Sequence, residues 1–160
     1  MKNTGVSKVK KIKAFLKLTL KEQERIIEAL YYLGKYRVMI AFVPFKDIER
    51  KMGRNNYESS NEADINDYRY AKYVKSAISI AAKYCPWQCK CLVRALTAQK
   101  MMENRGVPIT LYLGVKKDES DSMVAHAWTR CGTYFITGGD GKADYAVVAR
   151  FSFEKDKSIY

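Results

Sequence analysis

Residues 109–151 have the least freedom of any part of the chain. In ITLYLGV (109–115), Ile109, Leu111, Leu113 and Val115 alternate with Thr110, Tyr112 and Gly114, the two-residue period of a strand with one covered face. The polar stretch KKDESDS separates it from a second alternating run, MVAHAWTR (123–130). Cys131 and Gly132 then read as a two-residue hairpin turn, followed by TYFIT (133–137), a GGDGKAD loop and YAVVARF (145–151). Connections this short join antiparallel neighbours, because parallel strands need a crossover of about a dozen residues or more. This part of the chain must close as a small antiparallel sheet, and something apolar must cover it.

The helices upstream supply that cover. Thr19 and Glu22 form a capping box that predicts a helix start, with Ile26, Ile27, Leu30, Leu33 and Met39 following at helical spacing until Pro44 ends the run. A short second helix is expected around residues 45–52. From Asp67, the positions Tyr68, Ala71, Val74, Ile78, Ala81 and Ala82 mark a further amphipathic helix that Pro86 stops. Another begins near Cys91, carries Leu92, Ala95, Leu96 and Met102 on one stripe, and closes at Gly106, where a left-handed residue ends a helix cheaply. Helices followed by antiparallel strands make an α+β fold. Residues 53–66, GRNNYESSNEADIN, contain almost nothing apolar and read as a polar linker. The expected organisation is one domain of 160 residues, with a basic helical segment (1–52), the linker (53–66) and a core (67–160) large enough to need no disulfides.

The net charge is +12, and residues 1–52 hold thirteen lysines and arginines against five acidic residues. Such a surface attracts acidic partners without specifying one, and a solvated helical pair with a basic outer face is the simplest reading, with no nucleic-acid partner expected. The N-terminus lacks the apolar run of a secretory signal, and VMIAFVPF (38–45) is too short to span a bilayer. A cytoplasmic protein without stable membrane insertion is expected, and its four cysteines are expected to be reduced.

Three of those cysteines fall in CPWQCKCLVRAL (85–96). A thiol becomes a strong nucleophile as thiolate, which is favoured at a helix N-terminus or beside an imidazolium. Cys91 alone meets the first condition, since Cys85 ends the preceding helix and Cys89 lies in the connector. His126, the only histidine, lies mid-strand between Ala125 and Ala127 and shares a face with Val124 and Trp128. A cysteine at the head of a helix, then strands, then a histidine on a central strand is the order of papain-like and transglutaminase-like Cys-His enzymes. Counting back from a Cys131–Gly132 turn sets His126 opposite Thr137, which is no carboxylate. Asp140, beyond Gly138 and Gly139, is the nearest acidic group able to orient the ring, and Asp144 is the next. Zinc held by Cys85, Cys89, Cys91 and His126 is the alternative, but the spacing C-x3-C-x-C does not match paired C-x2-C knuckles.

Trp87 shortly before CLVRAL, RGVP from Arg105, the strand ending LYLGV, and AHAW from Ala125 followed by a glycine turn together resemble the stand-alone leader peptidase of lasso-peptide biosynthesis, the B protein with a transglutaminase-like fold. The resemblance covers most of the chain. It implies a cysteine protease with Cys91 as nucleophile, His126 as base and an acidic third member, working without a cofactor. In the family that aspartate stands about a dozen residues after the histidine, where this chain has Thr137 and Gly138, leaving Asp140 as the nearest substitute. The implied partners are a precursor peptide presented by a separate leader-recognition protein and, downstream, a macrolactam synthetase. Acyl transfer by the same residues, and a basic binding module whose cysteines hold zinc, are the competing functions.

Overall fold

The computed structural model describes residues 13–154. The basic stretch that includes Lys10 and Lys11 lies outside them. Helix α1 (Leu20–Phe42) starts at the Thr19–Glu22 capping box, with both reciprocal bonds made, and ends where Val43 turns extended before Pro44. The short α2 (Phe45–Glu49) follows. Helix α3 (Ile65–Tyr84) is capped by Asp64, whose carboxylate accepts from the amides of Asn66 and Asp67, and α4 (Cys91–Asn104) starts at the cysteine. The inner faces of α1, α3 and α4 meet in one apolar core that includes Ala29, Leu33, Val74, Ile78, Met101 and Met102.

Five strands form one antiparallel sheet in the order β1-β5-β2-β3-β4, with β1 at Arg54–Asn55, β2 at Ile109–Lys117, β3 at Met123–Cys131, β4 at Tyr134–Thr137 and β5 at Ala146–Phe153. Paired residues share a face. Leu111 and Phe151 therefore turn with Ala127 toward Ala95 and Leu96 of α4, and burying Ile109, Leu111 and Phe151, each at most 1% exposed, contributes about 1.5–3 kcal/mol apiece. His126, Trp128 and Arg130 leave from the opposite face. Helix α4 runs from the Leu113 and Ala149 end of the sheet, beside Cys91 and Leu92, to the Ile109 and Cys131 end, beside Met101 and Met102.

Residues 53–66 are not the loose linker that their composition predicts. They form a strap over the sheet: β1 pairs with β5, the Asn56 amide donates to the carbonyl of Arg150, and buried Ser59 bonds Thr110 through its amide and hydroxyl, both at 2.8 Å. The polar residues pack because the sheet offers a buried cation. Arg130, 5% exposed, donates to Glu58 at 2.9 Å, to Tyr112 at 2.7 Å and to the carbonyls of Ser59, Ser60 and Gly132. Tyr112 and Arg150 also donate to Glu58.

Partial burial pulls the Glu58 carboxyl upward, but these three donors outweigh it and hold it below its ordinary 4.5. A depressed acid contributes stability that is fully present above the unfolded value and lost as pH falls through the folded one. Because the Glu58 side chain is still 37% exposed and its ion pairs are screened, Glu58→Gln is expected to cost about 0.5–1 kcal/mol at pH 7. In thermal melts at a series of pH values, its gap from wild type should close below about pH 4.5. A gap that does not depend on pH would contradict this role.

The β3–β4 hairpin also differs from the simple count. Its turn is Gly132–Thr133, because Cys131 pairs with Tyr134. Gly132 takes φ +55°, and Tyr68 Oη presses so close that no Cβ fits. A bulge between Thr129 and Arg130 shifts the register further, setting Thr129 opposite Thr137. Cys131 is therefore fully buried at a strand end, not exposed in a turn. Among the described residues, no helix is long and apolar enough to cross a membrane.

Candidate active site

The first turn of α4 leaves backbone amides without intrahelical partners, and Lys90 at the N-cap supplies no side-chain acceptor. Cys91, the first helical residue, thus sits half-buried where those dipoles converge. The connector before it is held in place, since Arg94 Nε donates to the Cys89 carbonyl at 2.8 Å. Two other cysteines are chemically quiet. Burial, with contributions from Cys89, pushes Cys85 up to about 12, and burial pushes Cys131 to about 12 as well, so both remain thiols at neutral pH.

The imidazole of His126 stacks against Trp128 at 5.7 Å between centroids and lies 5.0 Å from the Tyr145 ring. Its Nε2 meets the backbone carbonyl of Gly138 at 2.9 Å. A carbonyl only accepts, so Nε2 carries the hydrogen and Nδ1 keeps the lone pair, the tautomer a general base needs at Nδ1. Gly138 can approach this closely because it has φ +64° and no side chain. A Cβ there would lie 2.5 Å from the Ala127 carbonyl oxygen and 3.1 Å from His126 Nε2.

Asp140, expected to orient the ring, does not touch it: Nε2 is taken by Gly138, and Asp140 is exposed. The reason is where the strand ends. Strand β4 ends at Thr137, and the left-handed Gly138 turns the chain out of the ladder there, so that its carbonyl and not the Asp140 carboxylate meets the ring. Asp144 instead faces Lys116 at 3.8 Å, and the Thr137 hydroxyl bonds that of Thr129 at 2.9 Å.

Cys91, Leu113 and Ala149 pack against one apolar cluster, and Gly114, next to Leu113, pairs with His126. Arg94, one turn into α4, lines a groove of about 310 Å³ with Lys75, Ser79, Thr137, Gly138 and Asp140, so the groove spans from the head of α4 to the carbonyl that holds the ring. Among the described residues, no hydrogen bond joins the Cys91 sulfur to the ring, and the strand pleat directs His126 to the face of Trp128. On that face a wider trough, about 530 Å³, is walled by Tyr112, Trp128, Phe135, Lys142 and Val147. The stacking roles of Trp128 and Tyr145 and the carbonyl of Gly138 were not evident from the sequence; the spacing of twelve from His126 to Gly138 was the available signal.

A family model described as the transglutaminase-like superfamily matches residues 40–150. The chain belongs to the transglutaminase-like superfamily. Comparisons with curated proteins and with solved structures give no match. The transglutaminase-like region runs from the end of α1 into β5 and contains Cys91, His126 and Gly138, whereas most of α1 lies before it.

Proposed function

We propose that this transglutaminase-like protein is a cysteine peptidase that removes the leader from a lasso-peptide precursor. The observation that supports the catalytic reading is the His126–Gly138 bond, which orients the ring through Nε2 and leaves Nδ1 open, with Cys91 at the first position of α4. The motifs around Trp87, Cys91, Arg105 and His126 support the choice of substrate.

In the reaction, the head of α4 and the His126 end of β3 must first close on each other, because the ring leaves the sheet on the face opposite α4. Nδ1 of His126 then takes the Cys91 proton and the sulfur attacks the carbonyl at the leader–core junction. First-turn amides of α4, that of Cys91 among them, hold the oxyanion. As the tetrahedral intermediate collapses, the imidazolium returns its proton to the departing amine, which is the new N-terminus of the core peptide. Water, deprotonated by Nδ1, then hydrolyses the leader thioester and restores the thiol. Gly138 fixes the ring's tautomer and direction but brings no negative charge to the imidazolium. A separate leader-recognition protein delivers the precursor, and a macrolactam synthetase consumes the freed core.

Incubating the protein, recognition protein and precursor, with and without an added primary amine, tests this reading by product mass. A leader ending in a free carboxylate is expected, and a leader joined to the amine would make the protein an acyltransferase. Because Gly138 holds the ring, Asp140→Asn is expected to change kcat/KM by less than about 3-fold. A loss above about 30-fold would mean that the carboxylate moves onto His126 in the working enzyme.

A further inference from the structure

Helix α1 is apolar on two sides. One side, with Ile26, Ala29 and Leu33, is buried in the core. On the other, Leu20 is 83% exposed, Ile27 57%, Tyr31 63%, Val38 58% and Phe42 83%. At 100° per residue these five fall within an arc of roughly 60° and run for about 33 Å. A straight apolar stripe of this length is unusual on the surface of a monomer. Most of it precedes the superfamily region, so the catalytic core does not explain it. Trp87 widens the stripe: its ring lies on Gly34, where a Cβ would come within 3.2 Å of it, and it is 37% exposed.

We propose that this stripe binds a second copy of the chain, two α1 helices packing antiparallel across a two-fold axis. The charges favour that occupant. Glu24 and Lys35 are both exposed and lie on the same flank of the stripe, placed symmetrically about its middle near Leu30. In an antiparallel pair like flanks face each other, so Glu24 of each copy meets Lys35 of the other. Lys21 falls opposite Val38, which its aliphatic stem can cover. A lipid surface suits the stripe less well, because Glu24, at the Phe42 edge of the arc, would lose part of its water without gaining a cation. The net charge of +12 opposes pairing, but at physiological salt charges on the far sides lie beyond the screening length of about 8 Å.

Sedimentation velocity of the full chain from about 1 to 100 μM in 0.15 M salt, with fluorescence of Trp87 followed alongside, tests the pairing. A dimer is expected, with Trp87 emission shifting to the blue as it forms. Glu24→Lys and Lys35→Glu are each expected to weaken the dimer about tenfold, with the double exchange restoring it to within about threefold. Val38→Glu, at an exposed position that should not affect folding, is expected to leave only monomer. A monomeric wild type at every concentration overturns the proposal, as do single exchanges without effect or a double exchange without rescue. A monomer that sediments with vesicles containing phosphatidylglycerol would assign the stripe to membranes instead.

Discussion

Gly138→Ala is expected to lower kcat/KM by more than about 100-fold and to cost roughly 2–4 kcal/mol of stability. The residue takes φ +64°, which costs an L-residue about 1–2 kcal/mol. The new methyl would also meet the Ala127 carbonyl oxygen at 2.5 Å and Trp128 Cβ at 2.9 Å. Neither is the end of a flexible side chain, so the bend must move, and its carbonyl then leaves His126 Nε2. Gly141→Ala is the control, because Gly141 has φ +71° but nothing within 4 Å. It should pay only the conformational cost and keep its activity. Gly138→Asp should fail as Gly138→Ala does, since its Cβ meets the same backbone before any carboxylate can help. Melting curves and kcat/KM for the three variants check this, and full activity in Gly138→Ala would remove the carbonyl from the mechanism.

Cys91→Ala is expected to abolish precursor cleavage, a loss of at least about 10⁴-fold, because no other group in the site can form the thioester. Cys89→Ala should keep most activity. Cys89 lies in the connector, outside the helix-head position, and its carbonyl, the part that Arg94 holds, survives the substitution. Cys131→Ala should reduce stability through the small void it leaves while cleavage continues in the folded fraction. Activity retained in Cys91→Ala and lost in Cys89→Ala would move the nucleophile into the connector.

The helices were legible wherever a cap or a proline punctuated an apolar stripe. Thr19 and Pro44 bracket α1, Pro86 lies just past α3, and Cys91 opens α4 at the expected residue. The strands were legible from alternation, because residues 109–115 and 123–130 turn apolar side chains to the helices and polar or aromatic ones to the strap, although both faces are covered near Thr110 and Arg130. The strap at 53–66 was not, since its order comes from a buried arginine on a strand far away in sequence, and local composition does not encode that partner. The contact between His126 and the Gly138 carbonyl was not legible either. The ladder stops at Thr137 and the left-handed Gly138 turns the chain, which brings the Gly138 carbonyl and not the Asp140 carboxylate to the ring. Backbone acceptors carry no side-chain signature, and only the absence of an acid at position 138 hinted at one.

The central claim is that the Cys91 thiol draws its reactivity from the His126 imidazole. Labelling with limiting iodoacetamide near neutral pH, read cysteine by cysteine by mass spectrometry in wild type and His126→Ala, measures that dependence without a substrate. Cys91 is expected to label first in the wild type and at least about tenfold more slowly in His126→Ala, with Cys89 unchanged. Equal labelling of Cys91 in the two proteins would contradict the claim.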